Sequence, residues 1–255
     1  MNKALRLLAV PTLALGALAL STAPAMAHDG DHSYQSTLGQ LNGSTATGTV
    51  TVDVTGNTAH AVLKVSGLPA TFKDAPYPHV QHIHVGAQGV CPAPSADKDG
   101  DGVVSTTEGA PFYGAIGTTL SVSGDTSPAA GLDLKLAGQG ASYTVDRTFE
   151  LNAETAAALH DGKAVVVVHG LDPATLSPAA QAAPSDLVPS LPLAATSPAL
   201  CGTLTAGMAM PSGGADTGVA TEADGTNTAG LALGGGLALV ALAGGAYVVR
   251  RRATA

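Results

Sequence analysis

Two histidines in one short segment are the first residues whose spacing could support chemistry. Within YPHVQHIHVGAQGVC, residues 77–91, His82 and His84 are separated by a single residue. Side chains two residues apart in a β-strand point to the same face, so both imidazoles could bind one copper or zinc ion at ~2 Å each. His169, which ends the apolar segment AVVVVH, is the expected third ligand if the two strands lie close together. The alternative is a polar strand face that binds nothing.

Four further histidines are weaker candidates. His60 and His79 lie on or beside neighbouring predicted strands. Cleavage of a signal peptide after Ala27 would free the amine of His28, and this amine and its ring could together chelate copper. His32 lies close to it in the sequence. A copper site at the start of the mature chain is therefore a separate hypothesis.

An acidic segment, DKDGDGVVSTTE at residues 97–108, has the spacing of a calcium-binding loop. Side-chain oxygens stand at positions one, three, five, nine and twelve, and Gly102 occupies position six, where the chain must turn sharply. With the backbone carbonyl of position seven, the expected ligands are Asp97, Asp99, Asp101, Val103, Ser105 and Glu108. The alternative is an acidic surface loop without an ion.

The segments on either side of this loop are CPAPSA and GAPFYG, and neither is typical of a helix. An EF-hand has a helix on each side of its loop. We therefore predict an isolated EF-hand-type loop between strands. It would bind calcium at ~0.1–1 mM and have a structural role.

Both ends of the chain indicate export and membrane anchoring. Residues 1–27 have the basic start, short apolar run and AMA ending of a signal peptide, with an uncleaved anchor as the alternative. Residues 229–249 carry no charge and are long enough to cross a bilayer, and the basic tail at 250–255 is expected on the cytoplasmic side. Residues 209–228 are typical of a flexible stalk. The predicted extracellular domain is residues 28–208.

A signal, an exported domain, a stalk and a basic tail together resemble bacterial cell-wall surface proteins. The expected partners are the membrane, through the C-terminal helix, and cell-wall or other extracellular ligands. Sortase substrates carry an LPxTG motif before the tail, and MPSGG at residues 210–214 departs from it at two positions. Anchoring by the helix alone is therefore favoured.

The charge of the exported part argues against nucleic acid as a partner. Residues 28–228 contain all 19 acidic residues and only six lysines and arginines, which gives a net charge of −13. Such a surface repels polyanions and attracts cations.

Cys91 and Cys201 are the two cysteines of the chain. In an oxidising exterior they would most simply form one disulfide, with two separate thiols as the alternative. The bond would close a loop of about 110 residues and stabilise the fold by ~4–5 kcal/mol in the chain-entropy model.

The hydrophobic pattern predicts an all-β domain. Apolar and polar residues alternate over residues 45–54 and 58–68, with a GN turn between them. Further strands are predicted in HVQHIHV, GAIGTTLSVSG, ASYTVDRTFEL, KAVVVVHG and ALCGTLTAG. Asn152 is the expected N-cap of one short helix in NAETAAALHDG, and residues 172–198 are expected to form a long loop. The predicted fold class is an antiparallel Greek-key β-sandwich of seven or eight strands.

Two families resemble these segments. QHIHVG and ELNAETAAALHDGKAVVVVHG resemble the CHRD (chordin-type) domain, over roughly residues 34–207. HIHVGAQGVC, VVVVHG and LCGTLTAG are also similar to copper/zinc superoxide dismutase, in the same order along the chain. Both resemblances imply an eight-stranded Greek-key sandwich. The dismutase resemblance further implies His82, His84 and His169 as copper ligands and a Cys91–Cys201 disulfide.

Three parts of a dismutase have no counterpart in this sequence. No histidine follows Cys91 to bridge copper and zinc, no zinc cluster of His and Asp follows, and Pro198 stands where the dismutases have the arginine that guides the anion. The negative charge would also repel superoxide. We therefore predict a membrane-anchored CHRD-type domain with a binding or structural role, a calcium loop and a histidine metal site.

A copper-dependent oxidoreductase of the dismutase type is the alternative. A hydrolase has no support, because no nucleophile stands in a recognisable activated setting.

Overall fold

The computed structural model describes residues 32–207. The strands are β1 (His32–Gln40), β2 (Thr47–Thr55), β3 (Thr58–Ser66), β4 (Thr71–Phe72), β5 (Ala75–Pro76), β6 (Pro78–His79), β7 (Gln81–Val85), β8 (Ala115–Thr119), β9 (Gly138–Gln139), β10 (Ser142–Glu150), β11 (Val165–His169), β12 (Pro198–Thr203) and β13 (Thr205–Ala206). The α-helices are α1 (Thr106–Tyr113), α2 (Ala153–His160), α3 (Pro178–Ala182) and α4 (Leu193–Thr196), and single 3-10 turns cover Pro94–Ala96, Pro128–Ala130 and Pro173–Thr175.

The predicted signal peptide, stalk, C-terminal helix and basic tail lie outside the described residues. Within residues 32–207, no helix is both long and apolar enough to cross a membrane.

The main sheet is antiparallel throughout. Its strands follow the order β10-β3-β2-β1-β12-β11-β7-β8, and β13 pairs with β1. Two small ribbons, β4-β5 and β6-β9, lie beside it. The prediction of an all-β, antiparallel fold is confirmed.

One half of the sheet follows the alternating pattern of the sequence. In β2, Val50, Val52 and Val54 are buried while the residues between them are exposed, and β3 and β10 show a similar alternation. Alternation of this kind places one face of a sheet on the core and the other in water.

The other half of the sheet is covered on both faces. All five residues of β7 and all five of β11 are buried. The main core takes apolar side chains from both halves of the sheet, among them Val50, Leu63, Ile83, Val166 and Leu200. The sheet therefore curls around one core in a sandwich-like arrangement. On the opposite face of β11, Val165 and Val167 pack with Tyr113 and Cys201.

Most predicted elements are present. The predicted strand segments contain β2, β3, β7, β8, β10, β11 and β12, and α2 has the predicted cap, because the Asn152 side chain accepts from the Thr155 N–H at 2.8 Å. β1 was not among the strands predicted from the sequence. Its segment HSYQSTLGQ buries only Tyr34 and Leu38 on the core face, which is a weak apolar pattern. The predicted loop at 172–198 contains α3 and α4.

The prediction that neither flank of the acidic segment is helical is wrong. A 3-10 turn, Pro94–Ala96, precedes the segment, and α1 begins inside it, directly after Ser105. The Ser105 hydroxyl accepts from the Glu108 N–H, and the Glu108 carboxylate accepts from the Ser105 N–H. This capping box supplies two of the hydrogen bonds that a helix start lacks and offsets the poor helix propensity of glycine and proline in GAPFY.

The predicted disulfide is confirmed. Cys91 and Cys201 are bonded, with their Cα atoms 5.8 Å apart and a separation of 110 positions in the sequence. Cys201 lies within β12, opposite Val167 of β11. The bond therefore fastens the segment after β7 to the centre of the sheet.

Candidate metal centre

Strand register brings His82, His84 and His169 together. In the β7–β11 pair, His82 lies opposite Val167 and His84 opposite Val165. His169 comes two residues after Val167, at the end of β11, where the register with β12 shifts. All three side chains therefore lie on the face of the sheet that is opposite the main core.

The three imidazoles are buried and close. Their exposed fractions are 2%, 3% and 3% in sequence order. The ring centroid of His82 lies 5.5 Å from that of His84 and 5.4 Å from that of His169, and the remaining separation is 6.0 Å. One nitrogen of each ring lies within 4.8 Å of the other two. An ion ~2 Å from every nitrogen requires only small side-chain rotations from this arrangement.

Each imidazole uses one nitrogen for a backbone carbonyl. His82 Nε2 donates to Gly131 O at 2.9 Å, His84 Nδ1 donates to Gly114 O at 2.9 Å, and His169 Nδ1 donates to Thr196 O. Because a carbonyl only accepts, these nitrogens carry the protons. The other nitrogens, His82 Nδ1, His84 Nε2 and His169 Nε2, therefore keep their lone pairs.

These three nitrogens have no hydrogen-bond partner among the described residues. A buried polar atom without a partner is uncommon in a folded protein, and such an atom indicates a role or an unseen ligand. Here three such atoms belong to three neighbouring buried rings. A carbonyl behind each ring is also the usual support of a metal-binding histidine.

The environment keeps all three rings neutral. Burial lowers the pKa of His84 to about 3 and that of His169 to about 4, against an ordinary value of 6.5. Burial, and then the neighbouring rings of His169 and His84, hold the pKa of His82 well below its usual range. Metals bind the neutral imidazole, so these rings are in the ligating form at neutral pH.

Three separate segments supply the carbonyls. Gly114 follows α1, Gly131 follows the 3-10 turn Pro128–Ala130, and Thr196 ends α4. The Tyr113 ring packs against His84 with centroids 4.6 Å apart, and its hydroxyl donates to Thr106 O at 3.0 Å. The helix α1 thus joins the acidic segment at its start to the histidines at its end.

Substitution of Gly114 tests the importance of the carbonyl that accepts a hydrogen bond from His84. Its φ is +95°, and a Cβ at this position would overlap the carbonyl oxygen of Val85. We expect Gly114→Ala to lower the free energy of unfolding by more than about 2 kcal/mol and to weaken metal binding. Gly162→Ala is the matched control, because its φ of +65° is also left-handed but no atom lies within 4 Å of the added Cβ. We expect this variant to cost about 1 kcal/mol. Equal losses in denaturant unfolding would contradict the argument.

A cavity of about 290 Å³ opens onto the three histidines. Its walls include Tyr113, Ile116, Leu132 and Leu187, and almost all of its surface is apolar. The site is therefore open on one side to a small molecule.

The weaker histidine candidates lie elsewhere. Both ring nitrogens of His79 lie 3.0 Å from backbone carbonyls, those of His169 and Pro69, so neither is free to bind a metal. His60 is exposed and pairs with Asp146 at 2.8 Å. His32 begins β1, with its ring 6.3 Å from that of Tyr34. His28 lies outside the described residues.

The acidic segment brings three of its six predicted ligands together. Carboxylate oxygens of Asp97, Asp99 and Glu108 lie within 4.8 Å of one another. Asp97 also accepts from the N–H groups of Gly100 (2.7 Å) and Gly102 (2.9 Å), which closes the turn.

The other three predicted calcium ligands have different surroundings. The Asp101 carboxylate accepts from the N–H of Val103 at 2.7 Å, and the Ser105 hydroxyl caps α1. Desolvation, together with repulsion from Asp99, Asp97 and Glu108, raises the pKa of Asp101 above its usual value. A bound cation would relieve that repulsion.

Sequence reasoning did not identify Gly114, Gly131, Tyr113 or Thr196 as part of the site. Three of them contribute only a backbone carbonyl, which any residue type provides. The GAPFYG segment offered the one usable signal, since a glycine after a helix often marks its end.

Searches with the chain against protein-family models and against curated proteins find no match.

Proposed function

We propose that this domain binds a single copper ion through His82 Nδ1, His84 Nε2 and His169 Nε2, with zinc as the competing metal. The observation that carries the proposal is a group of three buried histidines in which one nitrogen of each ring lies within 4.8 Å of the other two, each with one nitrogen that has no partner. Imidazole suits both metals, and copper(II) binds a given set of nitrogen ligands more tightly than zinc(II) does.

The chain's own groups prepare this site. The carbonyls of Gly114, Gly131 and Thr196 fix the tautomer and the orientation of each ring and leave its other nitrogen available as a ligand. The apolar walls exclude bulk water and keep the rings unprotonated. A bound copper ion would supply one-electron redox chemistry and a coordination position open toward the cavity.

Metal titration of the purified full-length protein tests this proposal. The expected result is one equivalent of copper bound, with an electron paramagnetic resonance spectrum that shows coupling to several nitrogens. Zinc should displace this copper only in large excess. Binding of more than one equivalent, or a spectrum dominated by oxygen ligands, would place the copper elsewhere.

We also propose a calcium ion in the acidic segment, with a structural role. Support comes from the cluster of Asp97, Asp99 and Glu108 and from the spacing of the oxygen donors. Glu108 is both a predicted ligand and part of the cap of α1. A cation at this position would therefore hold the start of the helix whose end carries Gly114.

Calcium is expected to raise the melting temperature by several degrees, because an ion that binds only the folded chain stabilises it in proportion to its occupancy. At 10 mM calcium, and for a dissociation constant of ~0.1–1 mM, the stabilisation is about 1.5–3 kcal/mol. Asp97→Asn should remove this dependence, while Asp53→Asn, an exposed change on β2, should retain it. The calcium assignment fails if a chelator leaves the wild-type melting curve unchanged.

A copper oxidoreductase of the dismutase type is the second candidate. The open cavity over the histidines favours it, since redox chemistry needs access to the metal. No lysine or arginine among the described residues lines that cavity, however, and an anionic substrate has no cation to attract it. A superoxide assay on the copper-loaded protein separates the two functions, and a rate no higher than that of free copper would leave metal binding alone.

For the whole chain we propose an exported, membrane-anchored protein whose domain has the Greek-key sandwich of CHRD domains. The Cys91–Cys201 disulfide supports export, because such bonds persist in oxidising compartments. The antiparallel curled sheet supports the sandwich. Anchoring rests on the sequence of residues 229–249 and the arginines that follow.

A further inference from the structure

The cavity over the histidines offers a ligand almost no polar group besides the imidazoles. Its apolar lining comes from Val80, Ala110, Ala115, Ile116, Leu132 and Leu187. Two threonines also line it, but the Thr106 hydroxyl donates to Thr196 O, and the Thr196 hydroxyl lies 2.6 Å from that of Ser185. A ligand body in this cavity would therefore meet carbon atoms.

The charge around the cavity does not suit an anionic ligand. The six lysines and arginines among residues 32–207 are all absent from its lining. The charge that the chain places beside the rim is negative, because Asp186 precedes Leu187 and its carboxylate accepts from the Thr107 N–H at 2.8 Å. A charge buried against apolar walls without a partner is costly.

The size and the mouth of the cavity limit what enters. About 290 Å³ is at the lower end of the range for ligand sites. Leu132 and Leu187 are 49% and 45% exposed, so these two large apolar side chains stand at the rim rather than in the core. Their exposed apolar surface is in contact with water, and a bound ligand would cover it.

We propose that this cavity takes a small, uncharged and largely apolar organic molecule, which places one neutral donor atom on the metal and its apolar body against Leu132 and Leu187. The inference rests on the copper site proposed above and names the class of ligand for it. The imidazole nitrogens hold the metal at the floor, and the apolar rim selects the rest of the molecule. Each additional buried CH₂ group should tighten binding by about 4-fold.

Three pyridines that differ only at the 4-position test the proposal. They are 4-ethylpyridine, 4-(hydroxymethyl)pyridine and isonicotinate, added to the copper-loaded full-length protein and followed by the copper absorption and paramagnetic resonance spectra. We expect the ethyl compound to bind at least about 5-fold more tightly than the hydroxymethyl compound, because the two have nearly the same size but differ in one methyl and one hydroxyl group. Isonicotinate should be the weakest, since its carboxylate would be desolvated at the rim.

Substitutions at the exposed rim provide matched controls that do not touch a histidine. Leu132→Lys and Leu187→Lys should each strengthen isonicotinate binding and remove the preference for the ethyl compound. Val90→Lys, a comparable change at another exposed residue outside the cavity lining, should leave the ranking of the three compounds unchanged.

The outcomes separate this inference from the metal site itself. If one equivalent of copper binds and the hydroxymethyl compound or isonicotinate binds as tightly as the ethyl compound, the ligand class is wrong while the metal site stands. If no pyridine perturbs the copper spectrum, the cavity does not lead to the metal and the inference is overturned. Failure of copper to bind overturns both.

Discussion

His169→Ala should abolish stoichiometric copper binding. The change leaves only His82 and His84, which come from a single strand, and removes the nitrogen that β11 supplies. Loss of a group that merely supports a ligand already costs 10–100-fold in metal affinity. We therefore expect the affinity to fall by more than about 100-fold, as measured by competition with a chelator of known strength.

Two further variants keep this experiment decisive. His84→Gln removes a ligand while keeping a polar side chain, and it should lose copper to a similar extent if His169→Ala folds poorly. His60→Ala is the matched control, because His60 is exposed on the other half of the sheet and pairs with Asp146. Undiminished copper binding in both His169→Ala and His84→Gln would assign the copper to another site, such as the amine and ring of His28.

The metal-free protein should lose stability steeply between pH 6.5 and pH 5. In this interval the unfolded chain protonates its histidines near the ordinary pKa of 6.5, whereas burial lowers the pKa of His84 to about 3 and that of His169 to about 4 in the folded chain. The unfolded state thus binds more protons, and the free energy of unfolding falls as the pH falls.

The size of the loss in the free energy of unfolding depends on how many buried imidazoles stay neutral in the folded chain. Each histidine that stays neutral when folded costs about 1.4 kcal/mol per pH unit below 6.5. With His82, whose pKa is also well below its usual range, these three rings account for about 6 kcal/mol by pH 5. Burial also lowers the pKa of His79, so this fourth ring adds to the loss. Most domains have only 5–15 kcal/mol in total. The metal-free form should therefore lose a large part of its stability by pH 5.

Denaturant unfolding as a function of pH measures this dependence. His84→Gln should reduce the slope by about a quarter, because it removes one of four buried histidines with a lowered pKa. The exposed His160→Gln should leave the slope unchanged. Copper should move the loss of stability to lower pH, because protons must then displace the metal from the same nitrogens. A flat profile from pH 6.5 to pH 5 would show that water reaches these rings in the folded chain.

Local spacing accounts for the parts of the site that could be predicted. His82 and His84 share a face because strand side chains repeat every two residues, and the sequence alone carries that spacing. Alternation of apolar and polar residues predicted β2 and β3, and the Asn152 cap predicted α2. Two cysteines in a chain with a predicted export signal indicated the disulfide.

The sequence predictions of α1 and β1 failed because hydrogen bonds outweigh the local preference of these residues for helix or strand. The capping box of Ser105 and Glu108 starts α1 in a segment rich in glycine and proline, whereas the calcium spacing predicted their oxygens only as ligands. In β1, pairing with β2 and β12 compensates for a weak apolar pattern, and such pairing depends on strands elsewhere in the chain.

The sequence by itself determined that this chain has an antiparallel β domain, two neighbouring histidines on one strand face and an acidic segment with calcium spacing. Only the tertiary structure decided that His169 joins the pair, because that depends on the register of β11 against β7. It also decided which nitrogen of each ring is free, since carbonyls from three distant segments take the other nitrogen. Every residue type supplies a backbone carbonyl, so the sequence does not indicate which carbonyls will face the rings. Long-range packing decides their positions.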